Sequence, residues 1–206
     1  MKKINVVMFV SHYCGLAALK ELVQGDISYF INVVGVVTDD PGKNFCSPQK
    51  RVWRYPYSEQ EKMMVHDFAI AHNIPVYRER IKTDEFYALF ENKWKPDLCI
   101  MAIFGQLVSP RLFNYPRLGF YNMHPTFDDI WPAFGGCDPM EQLIAVKKPH
   151  YVFAMHHVEE TFDSGKLVAY SDKIFMPHEP HPVELFKLAC DPLRSLLRKE
   201  LPKLLV

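Results

Sequence analysis

Runs of apolar, β-branched residues recur along this chain of 206 residues, separated by stretches whose apolar side chains return at helical spacing. No other feature narrows the fold more. Ile4 to Val10 reads as a buried strand, and Leu16, Ala17, Leu19, Leu22 and Val23 then mark one face of a helix. Val33 to Thr38 repeats the strand signal and ends in the polar turn Thr38-Asp39-Asp40-Pro41-Gly42. Ser58 and Glu61 have the spacing of a capping box, which starts a helix running to about Asn73. A second helical stretch covers Asp84 to Lys93, and Pro96-Asp97 introduces a buried strand from Leu98 to Ile103. Strands alternating with helices predict an α/β fold with a doubly wound, mostly parallel sheet flanked by helices. Further on, Tyr151 to Val158 reads as a strand and Lys166 to Phe175 as a strand or hairpin. Val183 to Leu205 reads as a terminal helix that Pro192 kinks or interrupts. No repeat or second-domain boundary is visible, so residues 1–206 are expected to form one domain.

Lys plus Arg and Asp plus Glu number 24 each, so no basic field draws a polyanion, and nucleic acid is not an expected partner. Five cysteines (Cys14, Cys46, Cys99, Cys137 and Cys190) without a CxxC pair fit a reduced, cytoplasmic compartment. The first apolar stretch is broken by Asn5 and is too short to span a bilayer, so no membrane partner is expected.

One fragment carries chemistry: Gly119-Phe120-Tyr121-Asn122-Met123-His124-Pro125, followed 39 residues after the histidine by Asp163-Ser164-Gly165. Residues i and i+2 of a strand share a face, so Asn122 and His124 can converge on one volume, and Asp163 can join them from a turn. An amide can donate to an oxygen gaining charge, an imidazole can exchange a proton near neutral pH, and a carboxylate can orient the imidazole. Taken singly, the three are also an ordinary turn cap, a loop histidine and a turn. In a parallel sheet, ligands sit beyond the carboxyl ends of the strands. Phe104-Gly105-Gln106-Leu107-Val108 follows the strand ending at Ile103, Asn122 and His124 end the next strand, and Asp163 follows the run Tyr151 to Val158, which predicts that they share one rim.

Other residues leave two readings open. Ser11-His12-Tyr13 follows the first strand, where a helix start could receive an acceptor phosphate, or where a loop simply packs. Residues 42–57 read as a surface loop near a ligand, in which Arg51, Trp53, Arg54, Tyr55 and Tyr57 could stack on a base and pair with phosphate, or cover the surface. His156 and His157 point to opposite faces of a strand and read as structural; His178 and His181 lack the partners of a zinc site.

With these residues in place, the chain resembles the formyltransferases that use 10-formyltetrahydrofolate, over most of its length and most sharply from Pro96 to Gly165. Pro96-Asp97, Phe104-Gly105-Gln106, Leu118-Gly119, Asn122-Met123-His124-Pro125 and Asp163-Ser164-Gly165 stand in the family's order and near its spacing. The resemblance implies a Rossmann-like catalytic domain, 10-formyltetrahydrofolate as co-substrate and no metal. It makes Asn122, His124 and Asp163 catalytic and maps the folate pocket onto Phe104, Gly105, Gln106, Leu107, Phe162 and Asp163. From His124 to Gly135 the chain is about three residues longer than the family's pattern, and the extra length, with Trp131 and Phe134, lies beside the expected acceptor site.

Among acceptors, the glycinamide ribonucleotide enzymes carry a Gly-Ser-Asn phosphate loop where this chain has Ser11-His12-Tyr13. The methionyl-tRNA enzymes add a C-terminal barrel and a positive channel, which the sequence ending at Val206 is not expected to supply. The expected acceptor is therefore a small molecule, a nucleotide-linked amino sugar destined for surface polysaccharide such as the O-antigen of lipopolysaccharide. Glycinamide ribonucleotide, methionyl-tRNA, hydrolysis of the formyl-folate and a non-catalytic binding module are the alternatives, and self-association into a homodimer is open.

Overall fold

The structure, a computed structural model, describes residues 3–43, 54–132, 134 and 138–205. One sheet runs in the order Val76–Tyr77, Ile31–Val37, Ile4–Val10, Leu98–Ala102, Phe120–Thr126, His150–His157, Leu167–Tyr170, with Ile174–Phe175 also paired to His150–His157. Its parallel part comprises β1 (Ile4–Val10), β2 (Ile31–Val37), β3 (Val76–Tyr77), β4 (Leu98–Ala102) and β5 (Phe120–Thr126). β6 (His150–His157) runs antiparallel to β5, and β7 (Leu167–Tyr170) and β8 (Ile174–Phe175) run antiparallel to β6.

β1 is apolar without alternation because both its faces are covered. Val6, Met8 and Val10 pack toward α1 (His12–Gln24), α2 (Glu59–Ala71), α6 (Pro182–Leu188) and α7 (Cys190–Glu200). Val7 and Phe9 face the opposite layer, where α3 (Asp84–Ala88) and α4 (Pro110–Phe113) contribute Phe86 and Leu112. α5 (Pro139–Val146) completes the helices that bear on the site.

The capping box is present: the Ser58 side chain accepts from the Glu61 amide while Glu61 reaches back to the Ser58 amide. Where the structure departs from the sequence reading, a local cause is visible. The stretch from Asp84 is α-helical only to Ala88 and continues as a π-helix over Leu89–Trp94, which seats Phe90 and Trp94 in one core. The Trp94 indole lies against Gly35, where an added Cβ would come within 2.5 Å of the ring. The strand bearing Asn122 and His124 does not end with them but continues to Thr126, because β6 goes on pairing with it after β4 has stopped. Lys166 to Phe175 forms no hairpin of its own; β7 and β8 each pair with β6. The C-terminal helix divides at Ala189, and Pro192 sits in the first turn of α7, where a missing N–H costs no helical hydrogen bond.

α7 is held to α1 by a buried carboxylate. Glu21 is 1% exposed and meets Arg194 Nε at 3.1 Å and Arg198 Nε at 3.4 Å. Replacing both arginines by alanine strands that charge. The expected loss is about 2–4 kcal/mol, below the full value for a buried pair because the guanidiniums are more than a third exposed. Urea unfolding checks this, and adding Glu21→Gln to the double variant should recover part of the loss.

Candidate active site

Strand pairing decides which side chains meet. Ala102, the last residue of β4, pairs with Met123, so His124 lies just past the end of β4 and clear of that neighbour. Asn122 pairs with His156 across the antiparallel β5–β6 ladder, and opposite residues of such a ladder share a face. Asn122, His124 and His156 therefore stand together, while His157 faces the other way and packs its ring on Tyr121 at 4.6 Å.

Asp163 arrives by a route the element order does not anticipate. β6 is antiparallel, so its carboxyl end lies away from the rim formed by the parallel strands. The hairpin between β6 and β7 is closed by His157 N–H donating to Lys166 O at 3.0 Å, and residues 158–165 fold back over the sheet. Gly165 sits so close to β6 at the base of this loop that an added Cβ would overlap the His157 carbonyl. Trp131 Nε1 donates to Gly165 O at 3.1 Å, tying the segment after β5 to the same loop. Asp163 itself has φ 47°, a left-handed conformation that Asp tolerates better than most residues.

The result is a carboxylate oxygen that two donors share and a third nitrogen approaches. Asn122 Nδ2 donates to Asp163 Oδ1 at 3.0 Å, His124 Nδ1 lies 3.3 Å from the same oxygen, and His156 Nε2 lies 3.8 Å from it. His124 Nε2 is 3.1 Å from the Phe134 carbonyl, so both ring nitrogens face acceptors, the arrangement a protonated imidazole satisfies. Only one of the two Asn122 amide hydrogens is taken by Asp163.

These groups open onto a cleft of about 490 Å³. Its wall includes Phe104, Gly105, Gln106, Leu107, Phe162 and Asp163, the residues mapped to the folate pocket, together with Asn122 and His124. Gln106 turns its side chain away, accepting from the Ile81 amide and donating to Glu79 O, so that its backbone faces the cleft. Ile103, a β-branched residue at φ 54°, marks strain at the end of β4 on the same wall. Among the described residues, no lysine or arginine lines the cleft, whereas Asp39, Glu159 and Asp163 do.

The residues assigned to the acceptor are dispersed. Ser11, His12 and Tyr13 lie outside the cleft wall. The Ser11 hydroxyl accepts from the Asp39 amide at 3.0 Å and lies 3.3 Å from Asp39 Oδ2, so it acts on the cleft through Asp39. His12 is boxed by the rings of Tyr13, Tyr57 and Phe186 at 4.5–5.2 Å, and the Tyr13 hydroxyl donates to Glu61. Trp131 packs at a tilt against His156 at 4.7 Å, and Phe134 contributes its carbonyl to His124. Arg51 and Trp53 lie outside the described residues.

His156 is the site residue that sequence reasoning missed, because an alternating strand reads the same whether its inward histidine packs or works. Burial pushes its pKa down to about 4, against the opposing pull of its bond to the His157 carbonyl. Burial likewise pushes His12 down to about 3. Both values lie below the 6.5 of an exposed histidine, so between pH 6.5 and 4 the unfolded chain binds more protons than the folded one. Stability should therefore fall as pH falls through that window. In His12→Asn, which keeps a residue tolerant of the φ of 64° there, the slope of unfolding free energy against pH should shrink by about 1.4 kcal/mol per pH unit. Urea titrations at several pH values measure it.

Among the described residues, no three His, Cys, Asp or Glu side chains are grouped to hold a metal ion, and no helix is long and apolar enough to cross a membrane. The methionyl-tRNA formyltransferase of Dictyoglomus turgidum is 26% identical over 184 residues, 86% of this chain and 52% of that protein. That of Bacillus licheniformis is 31% identical over 143 residues, 66% of this chain and 39% of that one. The bifunctional polymyxin resistance protein ArnA of Wigglesworthia glossinidia brevipalpis is 24% identical over 138 residues, 66% of this chain and 20% of that protein. The chain thus spans about half the length, or less, of the curated relatives it matches. In fold, it superposes on the phosphoribosylglycinamide formyltransferase of Streptococcus pneumoniae with a TM-score of 0.68 at 15% identity, covering 100% of both chains. A formyltetrahydrofolate deformylase of Pseudomonas syringae gives 0.64 at 18%, covering 97% of this chain and 62% of that one. The sequence model for formyl transferases matches residues 2–180, and the chain belongs to that family.

Proposed function

We propose that this protein transfers the formyl group of 10-formyltetrahydrofolate to a primary amine, within one catalytic domain, and that the amine belongs to a nucleotide-linked amino sugar used for surface polysaccharide. The observation that carries the reaction is the convergence of Asn122, His124 and Asp163 on one oxygen in the wall of a cleft.

The neutral amine attacks the formyl carbon, whose oxygen becomes negative as the carbon turns tetrahedral. The second Asn122 amide hydrogen donates to that oxygen. His124 Nε2–H does so as it releases the Phe134 carbonyl, since one proton cannot serve both fully. Asp163 holds His124 by Nδ1, and through water it takes the proton from the new ammonium and returns it to the folate nitrogen as the C–N bond breaks. One bond to carbon forms, one breaks, and one proton moves between nitrogens.

The acceptor reading draws on the charge of the wall. A cleft with three carboxylates and, among the described residues, no guanidinium or ammonium favours an acceptor that inserts an amine and hydroxyls and keeps its phosphates outside. A phosphoribosyl acceptor, or the end of a tRNA, would bring phosphate closer. The test incubates the protein with 10-formyltetrahydrofolate and a panel of nucleotide-linked 3-amino and 4-amino sugars, glycinamide ribonucleotide and methionyl-tRNA, following folate absorbance and product mass. A formylated sugar is the expected product. Formylation of either other acceptor overturns the sugar assignment, and formate without any formylated product overturns the transfer.

A further inference from the structure

Where α1 meets α6 and α7, Cys14 and Cys190 aim at one atom. Cys14 Sγ donates to Phe186 O at 3.3 Å, and Cys190 Sγ donates to the same oxygen at 3.4 Å. The two cysteines lie 176 residues apart in sequence, one in the first turn of α1 and the other opening α7, and the packing of α1 on α6 and α7 brings them together.

We propose that Cys14 and Cys190 form a reversible disulfide when the protein meets a peroxide, making this helix junction a redox-modification site. Two sulfurs held within 3.4 Å of one acceptor atom are near neighbours, and proximity is the first requirement of a disulfide. The roles are set by exposure. Cys14 is fully buried, while Cys190 is partly exposed and meets the oxidant first. The neighbouring Cys14 also holds the Cys190 thiol below its usual range, whereas burial holds the Cys14 thiol well above its own. The Cys190 thiolate attacks one peroxide oxygen and expels hydroxide, giving a sulfenic acid. The Cys14 sulfur then displaces water from it and forms the S–S bond. In sum, two thiols and one hydrogen peroxide become one disulfide and two waters.

Oxidation removes both S–H donors from the Phe186 carbonyl. The ring of Phe186 packs on His12 at 5.2 Å and lines the cleft, so the modification bears on the cleft wall as well as on the helix junction. The inference does not depend on which acceptor the enzyme uses.

The reduced protein is treated with one equivalent of hydrogen peroxide and analysed by intact mass and peptide mapping. The expected result is loss of two hydrogens, a single cross-link between the peptides of Cys14 and Cys190, reversal by dithiothreitol, and a Tm about 5 °C higher than in the reduced form because a long loop has been closed. The same shift should persist in the Cys46→Ser/Cys137→Ser double variant and vanish in Cys190→Ser. A cross-link mapping to other cysteines overturns the proposal, as does accumulation of sulfinic or sulfonic acid on Cys190 while Cys14 stays reduced.

Discussion

Asn122→Ala lowers kcat/KM for formyl transfer by about 100- to 1,000-fold, with the loss falling mainly on kcat, because the amide works hardest when the formyl oxygen carries charge. Asn122 also donates to Asp163 Oδ1, so the variant removes an oxyanion donor and one of the bonds that hold the carboxylate in place. The two effects separate by comparison. Asn122→Asp keeps the size of the side chain but sets a carboxylate against Asp163, and it should lose at least as much activity as the alanine variant. An intact circular dichroism spectrum and urea midpoint in Asn122→Ala establish that the fold survives. Less than a tenfold drop in kcat/KM would remove Asn122 from the reacting centre and with it the mechanism proposed above.

Phe9→Ala costs about 3–5 kcal/mol, a large share of the roughly 5–15 kcal/mol that stabilises a folded protein. Phe9 is fully buried near the carboxyl end of β1 and touches the rings of Phe86, Phe90, Phe104 and Phe120, with centroids between 4.9 and 6.3 Å. Its removal leaves a cavity bounded by α3, the π-helical segment, β5 and the residues after β4, and the regular elements among them cannot collapse inward without breaking ladder or helix hydrogen bonds. Phe104 also lines the cleft, so sub-denaturing conditions should reveal weaker folate binding before global unfolding. Denaturant titration gives the stability term, and Phe9→Leu, which refills most of the space, should recover more than half of it.

The parallel half of the sheet was legible in the sequence because strands covered on both faces leave unbroken apolar runs such as Ile4–Val10. The capping box at Ser58 was legible because its chemistry is local. The antiparallel half was harder to read: whether 166–175 pairs with itself or with an earlier strand depends on long-range register, which a turn signal does not encode. For the same reason, the rim rule brought Asp163 to the right neighbourhood by the wrong path. Asn122 and His124 were visible as a same-face pair. His156 was not, since its partnership with Asn122 exists only across the ladder. Ser11-His12-Tyr13 shows the limit in the other direction, because residues at the end of a first strand can turn into the protein as readily as out of it. Here the aromatic rings of Tyr57 and Phe186 draw His12 inward.

The β5-β6-β7 meander supplies the amide, both imidazoles and the carboxylate from residues 120–170, a stretch whose pairings join near neighbours in sequence. The facing wall is assembled differently: Asp39 comes from the first fifth of the chain and Phe186 from the last. The groups proposed to carry the transfer thus form one contiguous cassette, whereas the rest of the cleft wall joins residues far apart in the chain. Exchanging the outlying segments with a relative's would alter that part of the wall and leave the proposed reacting groups in their own frame.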